Sequence, residues 1–354
     1  MEGVECCDVV IVGAGPAGAS AARELEHLGV GHTLVDRAAF PRPKICAGIL
    51  PPAVAGLLGK LPSDVVERRI RGYYIHSAFG GELCSRFQHR GYAVNRSVFD
   101  EWLVQRLGHG PVSGTLLGLE KNGARIRVRT DRSNMDCRVL IAADGSGSRA
   151  RALLGIAAPR LATALQAEVP MEPTEIEHRT GGWFHVFYVV SGGYGWVAPH
   201  HDRLLVGMGS VFPGAAGRSA FSRFLKIPAV ASLTGSRLAR NTMAHRIPMS
   251  GPLPRPGRGN VLLAGDAGGF VFPGTGEGIR YAIMSGRAAA GAAAEYLKGD
   301  GRPAPLLKRY IARLARGGLM SLGDVDFLDV LESPEGAHRY LRRLTSLSRK
   351  ASSS

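Results

Sequence analysis

The sequence predicts an α/β protein: a Rossmann-like dinucleotide-binding domain, a discontinuous second domain built on an antiparallel sheet, and a short helical C-terminus. Two observations predict it. Three apolar runs, at 8–12, 138–143 and 260–264, each lead into a Gly or Asp turn, as buried parallel strands do where they feed ligand loops. Between them lie short runs of alternating polarity, Ile70–Phe79, Leu83–Phe87, Trp183–Val190, Gly195–Ala198 and Leu204–Val211, which read as antiparallel strands of another sheet. The second set interrupts the first. The dinucleotide-binding domain is therefore expected at about 1–68, 91–158 and 255–300, the substrate domain at 69–90 and 159–254, and a helical C-terminal segment at 301–354.

The first element is the strand Asp8–Val12, which runs directly into Gly13-Ala-Gly15-Pro-Ala-Gly18. An Ala-rich helix, Ala19 to Leu28, follows and is stopped by Gly29; a second strand, His32–Asp36, ends in an acid. Gly13 makes the tight turn, Gly15 lets backbone approach a pyrophosphate, and Gly18 lets helix and strand pack closely. Asp36, 18 residues after Gly18, is placed to accept from a ribose hydroxyl. The pyrophosphate belongs on the helix N-terminus, where free N–H groups and the dipole favour anions. Asn95 is a candidate cap for a helix from Arg96 to Leu107, and Pro252–Gly259 is a breaker-rich return to the first domain.

Composition bounds the remaining possibilities. The chain has 354 residues, 44 Lys and Arg against 29 Asp and Glu, and a net charge of +15. Its length suits two domains, and its 45% hydrophobic content excludes intrinsic disorder. The positive charge favours anionic partners, but Arg is spread along the chain without aromatic interleaving, so nucleic acid is not an expected partner. Five cysteines form no disulfide framework, and the start MEGVECCDVV lacks the positive charge of a signal peptide. With no apolar run of spanning length, the expected location is cytoplasmic, at most peripheral to a membrane. No metal-ligand spacing is present.

The second apolar run ends in Asp144-Gly145 and the third in Gly265-Asp266, followed by Gly276-Glu-Gly278-Ile279 and an Ala/Gly-rich helix to about Leu297. An Asp at a strand end suits a ribityl hydroxyl, and a helix starting near Gly276 aims N–H groups at an anionic flavin edge. In the order GxGxxG, Asp-Gly, Gly-Asp, the chain resembles the FAD-dependent oxidoreductases of the para-hydroxybenzoate hydroxylase fold. Within them it is most similar to the geranylgeranyl reductase family, over roughly residues 5–300. Phe40-Pro-Arg-Pro-Lys44-Ile-Cys46-Ala47-Gly48 resembles that family's Cys-bearing loop, and Tyr194-Gly-Trp196-Val-Ala-Pro199 its aromatic-x-Trp-x-x-Pro segment. The aromatic hydroxylases carry His where this chain has Gly268.

The resemblance implies a reaction: reduction of an isoprenoid carbon–carbon double bond by hydride from reduced flavin. It also implies roles for residues. Cys46, Tyr194 and Trp196 are the catalytic candidates. The cofactor-binding candidates are Gly13, Gly15, Ala17, Gly18, Asp36, Arg37, Cys46, Ala47, Arg96, Leu117, Asp144, Asp266, Gly276, Gly278 and Ile279. The electron donor would be NAD(P)H or a reduced carrier protein, the substrate a hydrophobic small molecule or lipid with or without a phosphate, and the protein a monomer or weak dimer. Arg42, Lys44 and Arg71 are candidates for a phosphate head group, while His185 reads as a bonded structural residue and His200-His201 as loop. His338–Leu347 is basic and amphipathic, a lid over the core or an interfacial helix. The competing reading is a flavin monooxygenase or halogenase of the same fold, acting on a small aromatic or carrier-bound metabolite; a non-catalytic flavin or isoprenoid binder is the remaining one.

Overall fold

The protein is described by a computed structural model, which covers residues 5–77, 81–190, 192–212, 217–299 and 303–323. The segment 338–347 lies outside the described residues. The chain divides into two compact units, Met1–Arg42, Asp100–Leu161 and Ile247–Val325 in one, and Pro43–Phe99, Ala162–Arg246 and Asp326–Ser354 in the other.

The first unit contains β1 (Glu5–Val12), α1 (Pro16–His27), β2 (His32–Asp36), β6 (Val112–Ser113), β7 (Leu116–Asn122), β8 (Arg125–Thr130), β9 (Asn134–Ala142), α4 (Arg149–Leu153), β15 (Gly257–Arg258), β16 (Val261–Leu263), α8 (Ile279–Leu297) and α9 (Pro303–Arg316). Its sheet runs β15-β16-β9-β1-β2-β6, with β8 beside β9 and β7 beside β8. The strands β16, β9, β1 and β2 are parallel, and Val9, Val10 and Ile11 are fully buried, as a run covered on both faces must be. Val12 pairs with Val35 and Ala142, and Leu263 pairs with Ala142, so four carboxyl ends stand level at one edge of the sheet. Helix α8 crosses α1 at close range, because a side chain on Gly286 would run into the carbonyl of Ala17. The buried Tyr310 of α9 donates its hydroxyl to the Leu263 carbonyl at 2.9 Å, fixing the end of β16.

The second unit contains β3 (Ile49–Leu50), α2 (Pro52–Leu58), β4 (Val66–Ser77), β5 (Gly81–Val94), β10 (Leu161–Pro170), α5 (Pro173–Thr180), β11 (Phe184–Val190), β12 (Gly193–Pro199), β13 (Arg203–Ser210), α6 (Arg218–Leu225), α7 (Pro228–Thr234) and β14 (Arg240–Pro248). Helix α3 (Arg96–Gln105) carries the chain on into the first unit, and Asn95 accepts the Ser97 N–H at 3.0 Å to start it. The sheet order is β14-β10-β13-β12-β11-β4-β5-β3. Its pairs β10·β13, β11·β12, β12·β13, β4·β5 and β3·β5 are antiparallel, whereas β4·β11 is parallel.

Two details depart from the sequence reading. Residues 43–68 and 91–99 join the second unit, because Ile49 and Leu50 pair with Ala93 and Tyr92 and β4 already begins at Val66. The strands β10 and β14 carry no clean alternation: β10 is buried without a break from Ala164 to Ala167, and β14 is exposed without a break from Arg240 to Ala244. One face of this sheet packs under α5, α6 and α7, with Val197, Val206, Met208 and Phe187 against Ile176, Phe221, Phe224 and Leu233. By alternation the opposite face carries Tyr188, Tyr194 and Trp196.

Candidate functional site

The three motifs of the first unit meet at the level strand ends. A side chain on Gly13, at φ +98°, would run into the Ala143 carbonyl, and one on Gly18 into the Gly13 carbonyl. Gly15 is different: its missing side chain would meet only the Arg42 guanidinium, at 3.5 Å. It begins α1 with no side-chain cap, which leaves the first N–H groups of the helix, including that of Ala17, to a ligand. Asp36 accepts the Ala14 N–H at 2.6 Å and the Ala38 N–H at 2.9 Å, so it closes the turn as well as offering its remaining lone pairs; Arg37 beside it is exposed.

The two later acids behave differently. Asp144 accepts from the Ser148 hydroxyl at 2.6 Å and the Ala150 N–H at 3.0 Å, and so caps the start of α4. Asp266 is half-buried, and its carboxylate has no hydrogen-bond partner among the described residues. Arg151, a residue without a sequence signal, joins both turns: it donates to the Ser146 carbonyl at 2.9 Å and to the Ala267 carbonyl at 3.0 Å. Gly276 has φ +64°, and Gly278 begins α8, again with no side-chain cap before Ile279. Between them the Glu277 Oε1 is buried without a partner, and burial pushes its carboxyl up against the pull of Arg280. Leu117 is exposed, and its carbonyl accepts from Arg149 at 2.9 and 3.2 Å.

These residues fit a dinucleotide. An uncapped helix N-terminus behind an unobstructed Gly15, a guanidinium beside it and an unpartnered Asp266 are the donor and acceptor set that a pyrophosphate and a polyol chain require. Of the phosphate-head candidates, Arg42 pairs with Asp100 at 3.5 Å, Arg71 with Glu177 at 3.3 Å, and Lys44 bonds His245 at 2.8 Å. Arg42 is thus placed at the pyrophosphate turn.

The remaining candidates belong to the second unit. Arg96 is buried at the start of α3. Cys46 is half-buried, and its sulfur accepts the Gly48 N–H at 3.4 Å. The Ala47 carbonyl accepts from His200 Nε2 at 2.9 Å. Tyr194 and Trp196 are buried side by side, with ring centroids 5.9 Å apart, and burial pushes the Tyr194 hydroxyl up. The strand opposite supplies Gly209 and Gly207 to face them, and a side chain on Gly207 would occupy the Trp196 ring. The Trp196 indole N–H is buried without an acceptor among the described residues.

His185 bonds the Thr180 carbonyl at 3.2 Å and His76 at 3.0 Å, the structural role its strand position predicts. His200 is the residue the sequence concealed. It lies in the turn after Pro199, as the sequence predicts, but is fully buried there, between Glu67 and the Cys46 loop.

Residues 6–60 and 117–318 match the family described as FAD binding domain. The geranylgeranyl diphosphate reductase of Rhodobacter capsulatus is 31% identical over 328 residues, which cover 88% of this chain and 80% of the relative. Digeranylgeranylglycerophospholipid reductase 1 of Methanopyrus kandleri is 30% identical over 331 residues, 86% of this chain and 84% of the relative. A geranylgeranyl bacteriochlorophyll reductase-like structure from Thermoplasma acidophilum shares the fold, with a TM-score of 0.82 over 98% of this chain and 92% of that one, at 21% identity. The chain therefore belongs to the geranylgeranyl reductase family of FAD-dependent oxidoreductases.

Proposed function

We propose that the protein reduces carbon–carbon double bonds in an isoprenoid chain of the geranylgeranyl type. The observation that carries this reading is the face of the second sheet opposite to the one under α5, α6 and α7. There Tyr188, Tyr194 and Trp196 lie buried over a strand reduced to glycine at 207 and 209, a flat apolar wall suited to an alkyl chain. The isoprenoid substrates in the names of the relatives point the same way.

Reduced FAD, when bound, supplies a hydride. The chain has three tasks beside it. Gly13, Gly15, Gly18, Asp36, Arg42 and Asp266 hold the dinucleotide through the geometry described above. Tyr194 and Trp196 exclude water and orient the alkene. Cys46 gives the proton that the second alkene carbon needs, and the Gly48 N–H at 3.4 Å stabilises the sulfur left behind. Hydride and proton together add two hydrogens across the bond. The electron donor in this reading is NAD(P)H or a reduced carrier protein, and the substrate carries a polar or phosphorylated head.

The test is anaerobic reduction of the bound flavin followed by geranylgeranyl diphosphate. The expected result is flavin reoxidation with a product two mass units heavier per bond reduced. Flavin that stays reduced with no saturated product would sink the proposal, as would oxygen-dependent products sixteen mass units heavier, which belong to a monooxygenase.

A further inference from the structure

We propose that His200, held by Glu67 and Arg203, is a positioning residue that aims the Gly48 N–H at the Cys46 sulfur and thereby stabilises the Cys46 thiolate. The inference deepens the reading above and rests on its assignment of proton transfer to Cys46.

The Ala47 carbonyl and the Gly48 N–H are two ends of one peptide group. A trans peptide is planar and directs them to opposite sides. On one side the carbonyl accepts from His200 Nε2 at 2.9 Å; on the other the N–H donates to Cys46 Sγ at 3.4 Å. Fixing one end fixes the other. The next residue is held as firmly. The Gly48 carbonyl accepts the Val94 N–H at 2.9 Å, Gly48 has φ +66°, and a side chain there would press on His200 Cε1 at 3.2 Å and on the Val94 carbonyl.

Counting protons strengthens the case. The Ala47 carbonyl only accepts, so His200 Nε2 must carry hydrogen. His200 Nδ1 faces the Glu67 carboxylate, which also accepts when ionised. A neutral imidazole has one N–H, so the pair holds a second proton, on the ring or on Glu67. Arg203 acts on one of them. Its guanidinium donates to both Glu67 oxygens, at 2.9 and 3.2 Å, which favours the ionised form of Glu67. Burial alone would raise the Glu67 carboxyl, but His200 and Arg203 outweigh it and hold it below the usual range. Among the described residues, further titratable groups facing this cluster are Arg68, which donates to the His200 carbonyl at 2.8 Å, Asp202, which takes Arg203 at 2.6 Å, and Tyr194, whose hydroxyl feels the Cys46 sulfur. A chain of hydrogen bonds from Arg203 through Glu67 and His200 to the Ala47 carbonyl polarises that peptide and makes the opposite N–H a better donor to sulfur.

The experiment is peptide-resolved alkylation of the FAD-loaded full-length enzyme with iodoacetamide between about pH 6 and 10, a range that brackets the ordinary thiol pKa. Cys6 and Cys84, both exposed, are internal references. His200→Leu is expected to slow alkylation of Cys46 at pH 7 about tenfold and to raise its midpoint by about one pH unit, with Cys6 and Cys84 unchanged. His200→Gln, which keeps an N–H for the Ala47 carbonyl, returns the rate to within about threefold of wild type. Glu67→Gln moves the midpoint in the same direction, and carries the test if His200→Leu does not fold. An unchanged Cys46 midpoint in these variants, or equal losses at all three cysteines, overturns the proposal. If Cys46→Ser retains full reductase turnover while the Cys46 midpoint still responds to His200, the proton-transfer reading fails and the positioning role stands.

Discussion

Gly15 and Gly18 are the same residue type answering two different demands. Gly18 has no room for a methyl group inside the protein itself, whereas Gly15 has room and is needed only by what binds there. The two substitutions should therefore separate. Gly18→Ala is expected to destabilise the apoprotein by about 2–4 kcal/mol, a backbone overlap that cannot be relieved locally. Gly15→Ala should leave the melting temperature of the apoprotein within about a degree and weaken FAD at least tenfold, by roughly 1.4 kcal/mol. Flavin fluorescence quenching and thermal unfolding measure both; a Gly15→Ala protein that binds FAD like wild type contradicts the assignment of that turn. At this scale the sequence was legible where chemistry depends on an absent side chain in a fixed spacing, as at Gly13, Gly15 and Gly18. It was not legible where a side chain's job depends on who is folded against it. Asp144 and Asp266 read alike as acids at strand ends, yet one caps α4 and the carboxylate of the other has no hydrogen-bond partner among the described residues. His200 gave no signal, because Glu67, 133 residues away, meets it only once the sheet has formed, although Arg203 lies just across the turn.

Among elements, the pairing of β4 with β11 is the informative one. It is parallel, places Phe187 beside His76, and brings His76 and His185 into contact. His185 Nε2 donates to the Thr180 carbonyl, so its Nδ1 is left as the acceptor of the His76 N–H. Desolvation pushes His185 down to about 4, with His76 adding to the effect and Thr180 and Glu82 opposing it; Tyr74 donates in turn to Glu82. The unfolded chain takes up this proton near pH 6.5 and the folded one only near 4. Stability is thus full above about pH 6.5 and falls as the pH drops to about 4, by up to roughly 3 kcal/mol. Unfolding curves of His185→Gln should lack that slope. A variant with the wild-type slope would place the titration elsewhere. Alternating runs announced β11, β12 and β13 from sequence, since one face of each meets the α5–α7 core. They did not announce β10, buried on both faces, or the direction of β4·β11, which depends on the chain between them.

For the molecule as a whole, the dinucleotide belongs to the folded first unit and has no site in the unfolded chain. FAD at a hundred times its Kd should therefore stabilise that unit by about 2.7 kcal/mol, visible by calorimetry as a rise in its transition. No rise at that saturation would exclude the site described. The fold class and the order of the three nucleotide motifs were legible because each rests on contiguous residues. The division between units was less so: the short pairing of Ile49 and Leu50 with β5 moves a whole segment from one unit to the other. Neither unit is a continuous stretch of chain, and this bears on how the protein is made. The turn from Gly13 to Gly18 leaves the ribosome before either of the other two ligand turns. Its neighbour β9 comes far later, and Asp266 with α8 later still, after the strands of the second unit have emerged. Until Val261–Leu263 arrives, β9 has an open edge over Leu140–Ala142 and no Asp266 beside it. Flavin capture is consequently a late event in biosynthesis, and a nascent chain cut short before α8 would have the first turn without the means to turn yellow.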